Sequence, residues 1–326
     1  SAPGREKLFS IPFLTYGEEI RQELEKVDSM IAIFKQHTPD VLSLLRNKFS
    51  HSKDINGTVA RLAASTVLDD VGLFQIKTLA LLSGEIATIL QELNTDIVSL
   101  PSLGEVIDIL DPEKTRIPHF YIYDAYSPDL AGIRKKIRQL NPDSPESGEI
   151  RSVLYEQNDL LENEIRINLS DRLVPHYIRL QHTLDLLARL DLLQAKAGQS
   201  IGMSLCKPAN SGITTYKGLF HPQLRKALED SGKHFQPVDI ALNKGTTLIS
   251  GANMGGKTGL LKATGLAQAL FQFGFFVPAA EANITPVDEI MYSVGDHQDE
   301  LYGLSSFAAE MLAIDQIIRQ VKKGCR

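Results

Sequence analysis

Apolar residues recur at helical spacing from about Glu18 to Lys48, at Ile20, Leu24, Val27, Ile31 and Phe34. They do so again from Val71 to Leu93, at Phe74, Leu81, Ile86, Ile89 and Leu93, and both runs predict long helices with one buried face. A proline-bearing stretch from Leu100 to Pro118 interrupts the period. Asp124-Ala-Tyr-Ser-Pro-Asp-Leu130 then leads into a basic helical segment, Ile133 to Leu140. Asn141 to Gly148 reads as a short turn-rich linker, followed by a polar amphipathic helix with Leu154, Leu161 and Ile165 and another around Leu186, Leu190 and Leu193. Between Lys207 and Thr247 glycine, proline and threonine become frequent and the helical period is lost, so a domain boundary is expected near residue 203. Beyond it Thr246 to Ser250 reads as a strand, and Lys257 to Phe273 as a helix with Leu266, Leu270 and Phe273 on one face. Phe275 to Pro278 and Glu289 to Val294 read as further strands. That order predicts a parallel α/β sheet. The expected architecture is mixed, with an all-α domain over 1–202 and an α/β domain over 203–326.

Length and composition support this division. A chain of 326 residues, 43% hydrophobic and 23% charged, can bury a sizeable core in two or three domains. With 34 basic and 40 acidic residues the net charge is -6, so the chain lacks the strong positive field on which non-specific nucleic-acid binding relies. The imbalance is uneven: Ser1 to Ser200 holds 22 basic and 29 acidic residues, against 12 and 11 in Ile201 to Arg326. Two cysteines, Cys206 and Cys325, make no disulfide framework and no zinc-ligand spacing, which fits a reducing cytoplasm. The start, Ser1-Ala-Pro-Gly-Arg-Glu-Lys-Leu-Phe, lacks the apolar core of a signal peptide and an initiator methionine, as expected of a processed end. No uninterrupted run approaches about 18 apolar residues, so a soluble protein without a membrane partner is expected.

The sharpest chemical signal is Gly251-Ala-Asn-Met-Gly-Gly256-Lys257-Thr258, which satisfies G-x-x-x-x-G-K-[ST] between a predicted strand and a predicted helix. Glycines let the backbone curl until consecutive N–H groups point at phosphate oxygens, and the helix N-terminus adds roughly half a positive charge. Lys257 reaches the β and γ phosphates of ATP, and the Thr258 hydroxyl ligates Mg2+. The C-terminal domain is therefore expected to be a P-loop NTPase domain.

The loop interior, Asn253-Met-Gly-Gly-Lys257, resembles the phosphate loop of the MutS mismatch-repair family, which is far more specific than the general motif. Leu219-Phe-His-Pro222, Phe276-Val-Pro-Ala279 and Ile284-Thr-Pro-Val-Asp-Glu-Ile290 are similar to segments that flank that loop in the family. Gly303-Leu-Ser-Ser-Phe-Ala-Ala-Glu-Met311 resembles its signature loop. Ile122 to Leu130 and Leu184 to Leu193 look like the family's helical core and lever segments. The resemblance implies that Gly251, Ala252, Asn253, Met254, Gly255, Gly256, Lys257 and Thr258 cradle the triphosphate. It also implies that Phe235 stacks on the adenine, with a core aromatic as the alternative. Ser305 would face the γ-phosphate of a partner subunit in a homodimer formed through the ATPase domains, unless it caps a helix. Lys257 and Ser305 are thus the catalytic candidates.

The pattern also departs from the family. Ala252 stands where proline is usual and Gly259 where a second Ser or Thr is common. No strand ending in Asp-Glu follows the signature loop before Arg326, so the chain as given is expected to bind ATP, to hydrolyse it poorly and to be a truncated part of a longer protein. Phe-x-Glu, the mismatch-reading motif, does not occur, and Asn141 to Gly148 leaves no room for a clamp domain. Two readings follow: a MutS-like ATPase acting on DNA in repair or recombination, or an ATP-dependent remodelling factor for a protein client such as a metabolic enzyme. His119, His176 and the Asp296-His-Gln-Asp-Glu300 turn show no metal-ligand set, and Arg134-Lys-Lys136 with Arg138 reads as a solvated helix face.

Overall fold

The computed structural model describes residues 1–36, 39–93, 95, 97–140, 147–252, 255–293, 311–312, 314–315 and 317–319, with the backbone path alone at 39–42 and 147. In chain order its helices are α1 (Ala2–Phe9), α2 (Gly17–Gln36), α3 (Pro39–Ser50), α4 (Asn56–Ala63), α5 (Asp70–Glu92) and α6 (Gly104–Leu110). They continue with α7 (Pro128–Gln139), α8 (Ser147–Leu173), α9 (Tyr177–Gly202), α10 (Pro222–Asp230) and α11 (Lys257–Gln272). The strands are β1 (Ala209–Asn210), β2 (Thr214–Leu219), β3 (Val238–Leu242) and β4 (Glu281–Ile284), so the fold is mostly helical.

The contacts divide the chain into two units, one of Ser1–Phe9 with Gln36–Leu192 and one of Ser10–Lys35 with Leu193–Arg326. Among its described residues the first holds helices and no strand. Its central helix α5 starts where the Asp69 carboxylate accepts the Gly72 N–H at 2.8 Å, a side-chain cap on an otherwise unsatisfied amide. α5 packs on α3, α4 and α6 through Leu73, Ile76, Leu79 and Ile86. Each such fully buried side chain contributes roughly 1.5–3 kcal/mol by removal from water. Among the described residues α5 is the one helix that by length and composition could cross a bilayer, yet it is a core helix. Lys77, with no exposed surface, is paired at 3.0 Å with buried Asp111 and donates to the Tyr123 hydroxyl oxygen at 3.0 Å. Burial alone would raise the Asp111 pKa, but the Arg116 N–H, the Lys77 ammonium and the Thr115 hydroxyl outweigh it and hold the carboxyl below its usual range. Helix α7 begins earlier than the basic segment suggested because Ser127 caps it, and Arg134 ties it to Asp124 and, at 2.9 Å, to Glu162 on α8.

In the second unit a four-stranded sheet has the order β1-β4-β2-β3. β1 and β4 are parallel, whereas β4 with β2 and β2 with β3 are antiparallel; Tyr216 stands opposite Ala282 on one side and Ile240 on the other. This corrects the expected parallel α/β sheet to a small mixed one among the described residues. Residues 246–250 form no strand, and Leu248 is 89% exposed. At 275–278 there is only an isolated bridge from Val277 to Cys206, and the strand forms instead at β4; 289–293 is irregular. Strand-like composition does not supply a hydrogen-bonded neighbour, and a ladder exists only where one is present. The long run from Glu18 to Lys48 is likewise two helices, since Pro39, which cannot donate a backbone hydrogen bond, opens α3. The expected boundary at 202/203 differs from the contact division, which puts α2, except Gln36, in the second unit.

Candidate functional site

Helix α11 begins at Lys257, directly after Gly255 and Gly256. Gly256 is the N-cap with φ 83°, a left-handed conformation that side-chain-bearing residues rarely adopt, and no side chain caps the helix. The first amides of a 16-residue helix are therefore left to solvent or to an anion, where the helix dipole favours negative charge. Gly255 N–H closes a turn onto the Ala252 carbonyl at 3.1 Å. A Cβ on Gly255 would lie 2.9 Å from that same oxygen, so the turn requires glycine.

The Lys257 ammonium folds back over the loop and donates to the carbonyl oxygens of Gly251 at 2.8 Å and Ala252 at 2.7 Å. These acceptors are exposed and exchangeable, and phosphate oxygens can replace them as charge-assisted partners. Thr258 is exposed at the second helical position, where its hydroxyl can serve as one oxygen ligand of a hard cation. Gly251, Ala252, Gly255, Gly256, Lys257 and Thr258 thus gather at the start of α11, a donor set that fits a phosphate group and one magnesium ligand. Asn253, Met254 and Ser305 lie outside the described residues. Phe235 is half-buried in the loop between α10 and β3; among the described residues no ring or hydrogen-bond contact links it to the glycine-rich turn before α11.

Neighbouring residues set the surroundings of Gly259 and His221. A side chain at Gly259 would meet the Leu224 methyl of α10 at 3.2 Å, a close approach that Leu224 would have to accommodate. His221 is structural: its Nδ1 accepts the Leu224 N–H at 3.4 Å and caps α10. Burial, with Lys262 nearby, keeps its pKa below the usual histidine value. The buried residues of α11 are Ala263, Ala267, Phe271 and Gln272, whereas the expected Leu266, Leu270 and Phe273 are only half-buried.

Sequence reasoning missed the clamp on the far end of α11. Gln272, with no exposed surface, donates to the carbonyls of Leu14 at 2.9 Å and Val287 at 2.6 Å, and its own carbonyl accepts the Leu14 N–H at 2.9 Å. Lys196 of α9 donates to the carbonyls of Phe273 and Gly274. Both are polar residues inside apolar helical runs, the one signal that could have marked them. Among the described residues no group of histidine, cysteine and carboxylate side chains could hold a metal.

Residues 247–325 match the family model described as MutS domain V. The chain is 29% identical over 181 residues to "Endonuclease MutS2" of Carboxydothermus hydrogenoformans, covering 54% of this chain and 22% of that protein. It is 34% identical over 163 residues to "DNA mismatch repair protein MutS" of Symbiobacterium thermophilum, covering 48% and 18%. With "Endonuclease MutS2" of Thermus thermophilus the identity is 33% over 209 residues, covering 59% and 27%. The matches thus span about a quarter or less of these relatives. The likeness to MutS proteins rests on a domain V match over residues 247–325 and on relatives that align with about half of this chain.

Proposed function

We infer that the loop Gly251–Thr258 binds the phosphates of ATP with magnesium. In this reading the site drives a conformational change of a cytoplasmic homodimer in DNA repair or recombination. The observation that carries the reading is the uncapped start of α11 behind two conformationally required glycines, with the Lys257 ammonium over the same loop. The backbone amides from Gly251 to Thr258, those of Asn253 and Met254 included, would hold phosphate oxygens. Lys257 would leave the Gly251 and Ala252 carbonyls for the β and γ phosphates. Magnesium, when bound, supplies charge neutralisation on the phosphates, and Thr258 would give it one hydroxyl oxygen. Phe235 would stack on the adenine, and Ser305 would face the γ-phosphate bound by a partner subunit.

Titration calorimetry with MgATP tests this site. Lys257→Ala is expected to weaken binding by about 2 kcal/mol, roughly thirtyfold, the size of a hydrogen bond to a charged group. Equal affinity in the variant would remove the basis of the reading. A second reading keeps the nucleotide site and changes the client from DNA to a protein such as a metabolic enzyme. The excess of 29 acidic over 22 basic residues in Ser1 to Ser200 favours it.

A further inference from the structure

A cavity of about 410 Å³ in the first unit opens between α5 and the end of α3 with the segment after it. Phe74, Thr78, Leu81 and Glu85 follow one another at steps of four, three and four along α5, so one stripe of that helix faces the space. Leu82, Ile55 and Pro118 complete its apolar wall. Phe74 and Leu81 are only half-buried, although α5 is otherwise a core helix. Two polar contacts on this wall are already made. Thr78 donates to the Phe74 carbonyl at 2.8 Å, and Gln75 Oε1 accepts the Thr58 hydroxyl at 2.5 Å. The α5 side therefore accepts a hydrocarbon body without leaving the Thr78 or Thr58 hydroxyl unsatisfied.

The charged part of the lining is mainly basic. Lys48, His51 and Lys53 face a single carboxylate, Glu85. Glu85 is taken by Lys48 at 2.8 Å. His51 Nδ1 lies 2.7 Å from the Asn47 carbonyl, which can only accept, so that nitrogen carries the proton. Among the described residues Lys53 makes no ion pair, and its ammonium is left as the uncompensated charge at an apolar cavity.

We propose that this cavity binds a small amphipathic organic anion, its hydrocarbon body against Phe74, Leu81 and Leu82 and its carboxylate at Lys53. A volume of about 410 Å³ lies within the range of small-molecule sites. The apolar wall provides affinity by dehydration and the lysine provides selection for charge. The site lies wholly outside the nucleotide loop, so its failure would leave the ATP reading untouched.

Titration calorimetry with decanoate, and with decanol as a neutral molecule of equal chain length, tests the proposal on the intact chain. One saturable decanoate site is expected, with decanol bound about tenfold more weakly or less. Lys53→Glu, an exposed change that leaves the core alone, is expected to weaken decanoate about tenfold. Thr78→Phe fills the space and should abolish binding while circular dichroism keeps its helical signal. The proposal is overturned by no saturable decanoate binding up to about 1 mM, by decanol binding as well as decanoate, or by unchanged affinity in Lys53→Glu.

Discussion

Lys196 sits on α9 almost wholly buried, donating to the Phe273 carbonyl at 2.9 Å and the Gly274 carbonyl at 3.1 Å, with the Phe275 ring centroid 4.3 Å away. Carbonyls at a helix C-terminus lack intrahelical donors and carry partial negative charge, so a cation satisfies them twice over. Burial nonetheless pushes the ammonium pKa down to about 8 against the pull of Glu23, with Lys26 adding to the depression. Between about pH 8 and 10.5 the unfolded chain therefore keeps a proton that the folded protein has released, and stability from this group rises with pH. The wild type should gain about 2 kcal/mol relative to Lys196→Met between about pH 7.5 and 9.5 in urea unfolding. A difference independent of pH would contradict the buried charge. The sequence shows a lysine in the run Leu193-Gln-Ala-Lys-Ala197. It does not show the carbonyls that lysine meets, 77 and 78 residues away.

Helix α11 was legible almost to the residue, because its glycine start and apolar run are local. The turn before it makes a local prediction. Gly255→Ala would put a methyl carbon 2.9 Å from the Ala252 oxygen, forcing the turn open without touching the helix body. MgATP affinity should fall about tenfold while helical dichroism stays unchanged; retained affinity would show that the turn is not the phosphate cradle. The strand expected at 246–250 was not legible in the same way. Its residues suit a pleated surface, but strand formation depends on a neighbour's hydrogen bonds, and β2, β3 and β4 pair with one another instead. The same dependence moved the strand expected at 275–278 to Glu281–Ile284, where Ala282 and Asn283 find Tyr216 and Thr215.

Across the whole chain a net charge of -6 with an acidic first two hundred residues decides which client is testable first. If DNA is the client, affinity measured by fluorescence anisotropy on duplex and branched DNA should fall steeply with salt as phosphate contacts release counterions. Undetectable binding in dilute salt would favour the protein-client reading. The amphipathic helices, the glycine-rich turn ahead of α11 and the resemblance to MutS proteins could be read from the sequence, because helical periodicity and such a turn are set by residues within a few positions of each other. Only the tertiary structure decided that Ser10–Lys35 joins the second unit, that the sheet is mixed, that Lys196 and Gln272 clamp the end of α11, and that a basic-rimmed cavity opens beside α5. Each of these joins partners far apart in sequence, and the free energy that selects such partners comes from burial and hydrogen bonding that no local window contains.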